Sequence, residues 1–391
     1  MYSKELADLG IVVFRRQNES GGLKPHLFIR FKSESGCLLT FAIDTTRFTS
    51  QKMQPDAYLI THAHSDHYGK SSMLSEISYC SEETARALEI RYEKNYKGKT
   101  FKSGSEIDIC GVKVRTFDVY HAPGAVAFYW KNESGTRILV TGDVKDAKDL
   151  PECDVLITEA SYGDPEDLGC YFKDDIEGFY QTVLSNIEKR PIAFGAYEFG
   201  KSQKAVSMIR EMGYTGSIAM NEKTSALTKT FVENAGSLIS MTDNGSISYE
   251  RSEIVSCTQI KAVAGMSEEI SVQMTRVEKA TVFQNDCRIY IVPIHRLSEL
   301  SSGVRKYVLT CRTDYPYENV RLSDHLDVSG LTQMVKKINP KITIVYHPNT
   351  GTRTDKFAEH LEKNGFKAFS INRIKNIIGN EKQNNKKEAN C

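Results

Sequence analysis

The chain contains 391 residues, of which 40% are hydrophobic and 26% are charged, so it can bury a core and wholesale disorder is excluded. Because 51 Lys and Arg residues are matched by 50 Asp and Glu residues, the net charge is +1. This balance excludes a basic nucleic-acid coat protein and an acidic tail carrier.

The composition also predicts where the protein is found. No run of about 18 apolar residues indicates a membrane span. The charges of Lys4, Glu5 and Asp8 near the start are atypical of a secretory signal peptide. None of the nine cysteines forms a C-x-x-C pair, which favours free thiols in a reducing compartment. We therefore expect a cytoplasmic protein with no membrane association.

The first half of the chain is predicted to be rich in strands. A charged segment that contains Ala85, Leu88 and Ile90 predicts a helix over residues 82–92. Apolar, β-rich runs bounded by polar turns predict strands at residues 11–14, 26–31, 38–43, 107–118, 125–130, 137–141 and 155–158.

The second half alternates between helices and strands. Apolar residues at helical spacing predict helices over residues 172–188, 202–212, 223–236, 331–338 and 356–365. Short apolar runs predict strands at residues 191–194 and 342–346. The polar residues from about 380 onward predict a flexible tail. The chain is therefore predicted to be a mixed α/β protein.

Four metal-ligand side chains crowd into the segment that follows the apolar run at residues 58–60: His62, His64, Asp66 and His67. Packing such groups together without a cation would cost repulsion and desolvation. His62 and His64 are two positions apart in an extended stretch, so they can face one metal. Asp66 and His67 lie beyond the turn and can face a second.

Three further donors occur where a predicted strand ends in a polar residue, and they are His121, Asp143 and His347. Sites on open α/β layers are built at such strand ends. Zinc takes nitrogen and carboxylate ligands and leaves open positions for water in catalytic sites. Asp143 follows Gly142 and alone would also fit an ordinary turn residue.

The histidine segment resembles the His-x-His-x-Asp-His signature of the metallo-β-lactamase fold. Three further segments resemble those of the β-CASP nucleases, and they are residues 158–164 (TEASYGD), 194–203 (FGAYEFGKSQ) and 322–327 (LSDHLD). Together the matches run in the family's order from Asp44 to His347. Pro123-Gly124 after His121 resembles the DNA-repair branch of this family, whereas His347 resembles the RNA-processing branch.

The resemblance implies roles for individual residues. One metal would be bound by His62, His64, His121 and Asp143, and the other by Asp66, His67, Asp143 and His347. Asp44 would brace the histidine loop, although a strand-end turn Asp is the alternative. Asp66, Glu159 and His325 would be catalytic, with Glu159 orienting His325 so that the imidazole can supply a proton to the leaving oxygen.

The family further implies a zinc-dependent nuclease that hydrolyses phosphodiester bonds of RNA or DNA with water activated between two Zn²⁺ ions per chain. Mn²⁺ is an alternative ion. A narrow cleft favours exonuclease action on single strands. We expect the cations Lys201, Lys204 and Arg321 to follow the substrate backbone. The choice between RNA and DNA and the presence of a homodimer stay open.

The implied architecture is a metallo-β-lactamase αββα sandwich interrupted by an inserted α/β β-CASP cap domain, with the active site between them. The expected boundaries are residues 1–171 for the first part of the sandwich, 172–310 for the cap, 311–380 for the second part and 381–391 for the tail.

Residues 195–202 also fit the P-loop pattern G-x-x-x-x-G-K-[ST], between a predicted strand and a predicted helix. No later apolar run ends in the Asp that would hold Mg²⁺, and Glu198 would repel a triphosphate. An alternative use is that Gly200, Lys201 and Ser202 bind a substrate phosphate at the helix start.

Three other functions compete with the nuclease. They are a P-loop-like NTPase, a non-nuclease metallo-hydrolase of the same fold, and a nucleic-acid-binding scaffold without catalysis. The segments around Tyr162 and His325 argue against the second, and the full set of metal donors argues against the third.

Overall fold

The strands of the computed structural model form three sheets within the residues that it describes. Those residues are 2–16, 26–48, 54–241, 247–250, 279–282, 287–348 and 351–374. The predicted tail at 381–391 lies outside them.

The first sheet has the spatial order β1-β2-β3-β4-β5-β6. Its strands are Ile11–Phe14 (β1), Leu27–Lys32 (β2), Leu38–Ile43 (β3), Ala57–Leu59 (β4), Ser78–Ser81 (β5) and Lys99–Phe101 (β6). The first three strands pair antiparallel, and the pairs from β3 to β6 are parallel.

The second sheet joins two distant parts of the chain. Its strands are Glu106–Ile109 (β7), Val112–Asp118 (β8), Val126–Lys131 (β9), Arg137–Val140 (β10), Val155–Thr158 (β11), Ile342–Val345 (β20) and Ala368–Ser370 (β21). Their order is β21-β20-β11-β10-β9-β8-β7. β20 pairs in parallel with β11, so the last part of the chain completes a sheet that the first part begins.

The third sheet is formed by the residues between β11 and β20. Its strands are Ile192–Gly195 (β12), Ile218–Asn221 (β13), Leu238–Met241 (β14), Ile247–Glu250 (β15), Lys279–Val282 (β16), Ile289–Val292 (β17), Arg305–Leu309 (β18) and Glu318–Val320 (β19). Their order is β16-β15-β14-β13-β17-β12-β18-β19. The expected domain boundaries stay a prediction.

The helices of the described residues are Tyr2–Asp8 (α1), Gly69–Ser72 (α2), Glu82–Tyr92 (α3), Ile176–Ile187 (α4), Lys201–Glu211 (α5), Glu222–Phe231 (α6), Val328–Ile338 (α7) and Arg353–Lys363 (α8). Several of these helices begin with a side-chain N-cap. Ser81 accepts from the Thr84 amide before α3, and Asp327 accepts from the Gly330 amide before α7. No described helix has the length and hydrophobicity needed to cross a bilayer.

The first two sheets pack face to face over an apolar core. Phe31, Phe41 and Trp130 are buried at its centre, and the Phe41 and Trp130 ring centroids lie 5.5 Å apart. Side chains alternate along β10, so that Ile138 faces this core and Leu139 faces α7 and α8 on the outer side. The predicted αββα arrangement is confirmed.

The short strands of the third sheet are the elements that the sequence predicts least completely. The apolar pattern predicts β12, but it does not predict β13, β14, β17 or β18. All four residues of β17 are buried, so its sequence is a short apolar run, which periodicity alone does not distinguish from part of a buried helix.

Asp154, which lies just before β11, links three strands of the second sheet. Its carboxylate accepts from the Arg137 amide at 2.8 Å and from Arg137 Nε at 3.0 Å. It also lies 3.2 Å from Lys341 Nζ, just before β20. Burial would raise the pKa of Asp154, but the hydrogen bonds from Arg137 and Lys341 lower it to about 2.

Asp154→Asn is expected to lower the free energy of unfolding by about 1.5–3 kcal/mol, the typical contribution of hydrogen bonds to a charged group. A lowered folded-state pKa gives stability that is present above the unfolded value of about 3.9 and lost as the pH falls toward 2. The difference between the two proteins in urea unfolding should therefore be large at pH 7 and shrink below pH 3.

Glu152→Gln is the matched control, because the exposed Glu152 carboxylate lies 3.7 Å from Arg137 without joining strands. Equal stability of wild type and Asp154→Asn at pH 7 would contradict this account of the sheet.

Candidate metal centre

The predicted donors all lie where strands end at one edge of the two packed sheets. His62 and His64 follow β4, His121 follows β8, Asp143 follows β10 and His347 follows β20. Asp66 and His67 lie in the 3₁₀ turn Ser65–His67. The structure brings these seven side chains together into two groups.

Asp44, directly after β3, holds the histidine loop. Its backbone is in the left-handed region, with φ of 47°, which Asp tolerates better than most residues. The carboxylate accepts from the Thr61 amide at 2.8 Å, the Thr61 hydroxyl at 2.7 Å and His67 Nδ1 at 2.7 Å. Asp44 therefore contacts the histidine loop at two residues, and its bracing role for a metal centre stays a prediction.

Gly142 lets the second sheet approach the histidine loop. A Cβ atom at this position would lie 2.7 Å from Thr61, and the φ of 60° also favours glycine. Asp143 follows directly and is buried at the centre of the cluster. The close approach at Gly142 thus places the Asp143 carboxylate among the imidazoles.

The first group contains His62, His64, His121 and Asp143. His64 Nδ1 lies 3.1 Å from His62 Nε2 and 2.9 Å from His121 Nε2. Asp143 Oδ2 lies 3.6 Å from the first and 3.5 Å from the second of these Nε2 atoms. Tetrahedral zinc with bonds of about 2.0–2.1 Å separates its ligand atoms by about 3.3 Å, so the spacing fits such an ion.

The second group contains Asp66, His67 and His347. Asp143 links it to the first, because Asp143 Oδ2 lies 3.3 Å from His67 Nε2 and Asp143 Oδ1 lies 3.3 Å from His347 Nε2. Asp66 is the most exposed of these donors, and its carboxylate lies 3.9 Å from His347 Nε2.

Two buried atoms at the centre lack a hydrogen-bond partner, and they are His67 Nε2 and Asp143 Oδ1. An unsatisfied buried polar atom is costly, and a cation between these donors would remove that cost. Burial would lower the pKa of His67, but the carboxylates of Asp143 and Asp44 raise it well above its usual value. The cluster therefore fits a divalent metal ion.

The three imidazoles of the first group are held in the neutral form that binds metal. Burial lowers the pKa of His64 to about 3, and His121 beside it acts in the same direction. Burial and His67 lower the pKa of His62 well below its usual value, and burial and His325 lower that of His121.

In each of the same three rings, the outer nitrogen, which faces away from the other donors, contacts an oxygen atom. His62 Nδ1 lies 3.0 Å from the Thr61 hydroxyl. His64 Nε2 donates to the Phe199 carbonyl at 3.0 Å, and His121 Nδ1 donates to the Asp324 carbonyl at 2.7 Å. Such contacts fix the tautomer and orientation of metal-binding histidines.

His325 and Glu159 form a pair beside the first group. His325 Nδ1 lies 2.9 and 3.0 Å from the two carboxylate oxygens of Glu159. Glu159 also accepts from the amides of Val144 and Ser161. Burial would lower the pKa of His325, but the Glu159 carboxylate raises it above its usual value. The His325 ring also packs on His121, with centroids 4.5 Å apart.

A cleft of about 440 Å³ opens over the donors and the His325–Glu159 side. The cations that line it are Arg91, Lys201, Arg312 and Arg353. Lys204 and Arg321, the two other cations expected to follow the substrate, are not among the lining residues. Lys204 lies further along α5 and pairs with Asp174 at 3.1 Å.

The segment that also fits a P-loop has its polar groups engaged within the protein. The Gly200 amide donates to Gln203 Oε1 at 2.7 Å, and the Ser202 hydroxyl donates to the Tyr197 carbonyl at 2.6 Å. Lys201 is buried and lies 3.8 Å from Asp324. Phosphate binding by Gly200, Lys201 and Ser202 stays a prediction. Of the three, only Lys201 lines the cleft.

The sequence does not identify Arg91, Arg312, Arg353 or Tyr197 as lining the cleft. Tyr197 is 49% exposed although it is a large aromatic residue. Its only signal is its place within the segment that resembles the β-CASP nucleases. The arginines have no local signal, since each is one of many cations in the chain.

The sequence profile of the Beta-lactamase superfamily domain matches residues 41–193. A DNA cross-link repair protein SNM1 of Arabidopsis thaliana is 27% identical over 172 residues, which cover 40% of this chain and 35% of that protein. An RNase J-like protein of Methanocaldococcus jannaschii is 24% identical over 191 residues, covering 42% and 45% respectively. The chain thus spans less than half of the length of either relative.

A crystal structure of a protein of unknown function from Enterococcus faecalis V583 matches with a TM-score of 0.59 and 12% identity, and the match covers 92% of this chain and 97% of that one. This likeness shows the fold. Residues 41–193 thus resemble a β-lactamase superfamily domain, and the predicted resemblance to the β-CASP nucleases is confirmed by the similarity to both a DNA-repair and an RNase J-like protein.

Asp44→Asn is expected to weaken metal binding by about 10–100-fold, because such outer contacts of metal ligands are worth that much. The amide can no longer accept all three hydrogen bonds from Thr61 and His67. Competition with a chromogenic chelator measures the affinity.

Asp56→Asn is the matched control, since Asp56 accepts from the Thr40 amide at 2.7 Å and is not among the metal-cluster residues. Metal binding by Asp44→Asn equal to that of wild type would show that the contacts of Asp44 do not support the centre.

Proposed function

We propose that this protein is a zinc-dependent nuclease that hydrolyses phosphodiester bonds of RNA or DNA in the cleft over the metal centre. The observation that carries this proposal is the convergence of seven metal donors beside the His325–Glu159 pair. Two Zn²⁺ ions per chain would occupy the two groups, with Asp143 shared, and Mn²⁺ is an alternative.

When bound, such metals lower the pKa of water toward neutrality and stabilise charge on phosphate oxygens. The first ion would be held by His62, His64, His121 and Asp143, and the second by Asp66, His67, His347 and Asp143. Asp66 lines the cleft and its side chain is 30% exposed, so we place it in catalysis as well as in binding.

His325 is proposed to give its proton to the leaving oxygen. Its side chain is 17% exposed and lines the cleft, whereas Glu159 is buried behind it. The Glu159 carboxylate contacts the ring at Nδ1 and raises the pKa of His325 above its usual value, which favours the protonated form that can donate a proton. The other ring nitrogen, Nε2, can then donate a proton to the substrate.

The cleft supports a single strand as substrate. Arg91, Lys201, Arg312 and Arg353 line it and would attract the phosphate backbone without a large net charge on the protein. The exposed ring of Tyr197 lies at the same cleft, and aromatic side chains there stack on unpaired bases. The digestion of single strands from an end is the expected mode.

A metallo-hydrolase of the same fold with a small substrate is less favoured, because Tyr197, Lys201 and Arg312 from the region of the third sheet line the cleft beside the donors. A P-loop NTPase is not favoured, because the Gly200 amide and the Ser202 hydroxyl already bind within the protein. A cytoplasmic location and a homodimer stay predictions. The seven described cysteines, all unpaired, support the location.

His325→Gln is expected to lower kcat by about 10²–10⁴-fold, the usual effect of losing a proton donor, while the bound metal is retained. Digestion of end-labelled single- and double-stranded RNA and DNA with Zn²⁺ or Mn²⁺ measures activity, and metal analysis follows occupancy. Asp66→Ala should lose both activity and part of the metal.

His295→Gln serves as the control, because His295 is exposed and lies outside the cleft. Activity of both His325→Gln and Asp66→Ala at the wild-type level would rule out the proposed chemistry. Loss of metal from His325→Gln would make His325 a ligand and not a proton donor.

Tyr197→Ala is expected to raise KM for single strands by about 5–100-fold, which corresponds to the loss of one stacked base, with a smaller change in kcat. Tyr197→Phe should resemble wild type, because stacking needs only the ring. Kinetics on single-stranded oligonucleotides with and without abasic sites measure the effect.

Tyr171→Ala is the control, since Tyr171 is similarly exposed, at 43%, and does not line the cleft. An equal rise in KM for a fully abasic strand would show that Tyr197 acts on something other than bases.

A further inference from the structure

A loop of the third sheet supports a ligand of the first metal group. The segment between β12 and α5 contains Tyr197, Glu198 and Phe199, which all line the cleft. Its Phe199 carbonyl accepts from His64 Nε2 at 3.0 Å. His64 therefore depends on a segment that is 135 positions away in sequence.

Arg91 connects the same loop to the histidine segment from the other side. It lies near the end of α3, and its Nε donates to Glu198 Oε2 at 3.1 Å. Another guanidinium nitrogen donates to the carbonyl of Ala63, the residue between His62 and His64. The side chains of Arg91 and Glu198 are only 13% and 26% exposed.

These contacts form a closed circuit of interactions between the histidine segment and the loop. Ala63 binds Arg91, Arg91 binds Glu198, and Phe199 next to it binds His64. The planar guanidinium can donate to the Ala63 carbonyl and to the Glu198 carboxylate at the same time. A lysine ammonium would direct its donors with less geometric control. Bonds of this kind, between charged groups that are partly buried, are stronger than exposed ion pairs.

We propose that Arg91 and Glu198 are positioning residues that hold His64 in its metal-binding orientation. This inference rests on the proposed metal-dependent function. Arg91 fixes the backbone before His64, and Glu198 fixes the loop whose next carbonyl holds the outer nitrogen of the ring. Metal affinity at the first group then depends on how the third-sheet loop is docked.

The test compares zinc affinity of the full chain without nucleic acid, by competition with a chromogenic chelator. Arg91→Gln and Glu198→Gln should each weaken the first zinc by about 10–100-fold. Because the two side chains act through one contact, the double variant should lose little more than either single one. Arg91→Lys should recover part of the loss.

Arg86→Gln is the matched control. Arg86 also lies on α3, but its exposed side chain pairs with Glu89 of the same helix at 3.5 Å, so its removal leaves the contacts of Arg91 with Ala63 and Glu198 in place. Its zinc affinity should equal that of wild type. Urea unfolding checks each variant, and if Arg91→Gln does not fold, Glu198→Gln tests the same contact from the loop side.

Wild-type zinc affinity in folded Arg91→Gln or Glu198→Gln would overturn the inference, as would fully additive losses in the double variant. Failure of the proposed function has a different signature. A wild-type protein that binds zinc but cleaves no RNA or DNA would overturn the nuclease and leave the positioning role of Arg91 intact.

Discussion

Five imidazole rings and two carboxylates can share one small volume only if their inner electron pairs face a cation and their outer groups are satisfied by the protein. In the structure, a different group satisfies the outer nitrogen of each of four rings. The hydroxyl of Thr61, the carboxylate of Asp44 and two backbone carbonyls hold the outer nitrogens of His62, His67, His64 and His121. The rest of the molecule is arranged so that these oxygens and the central Asp143 reach the same place.

That arrangement needs both sheets of the sandwich and the third sheet, whose strands lie between β11 and β20 in the chain. The first sheet supplies the histidine loop, and the second supplies His121, Asp143 and His347 from its strand ends. The third sheet closes the site from above, because the Phe199 carbonyl comes from its loop and the Asp324 carbonyl follows its last strand. The candidate metal centre thus lies where elements of all three sheets meet, and the cleft opens at the same place.

Much of this centre is predictable because its chemistry is local in sequence. Four donors within six positions would repel one another in a fold without a metal, and Asp143 and His347 stand out because each follows an apolar strand. Arg91 and the Phe199 carbonyl cannot be found in the same way. Arg91 is one of 51 cations, and a backbone carbonyl has no sequence signature. Both acquire their roles only through the position of the third sheet, whose short buried strands are themselves hard to predict.

The pairing of β20 with β11 has a consequence for synthesis on the ribosome. His347 follows β20 and is made long after the histidine loop, as is the Asp324 that holds His121. Folding during translation proceeds from the N-terminus, so a growing chain has the first donors well before it has their final supports. The donor set of the proposed nuclease is therefore complete only when β20 pairs with β11, after most of the chain has been synthesised.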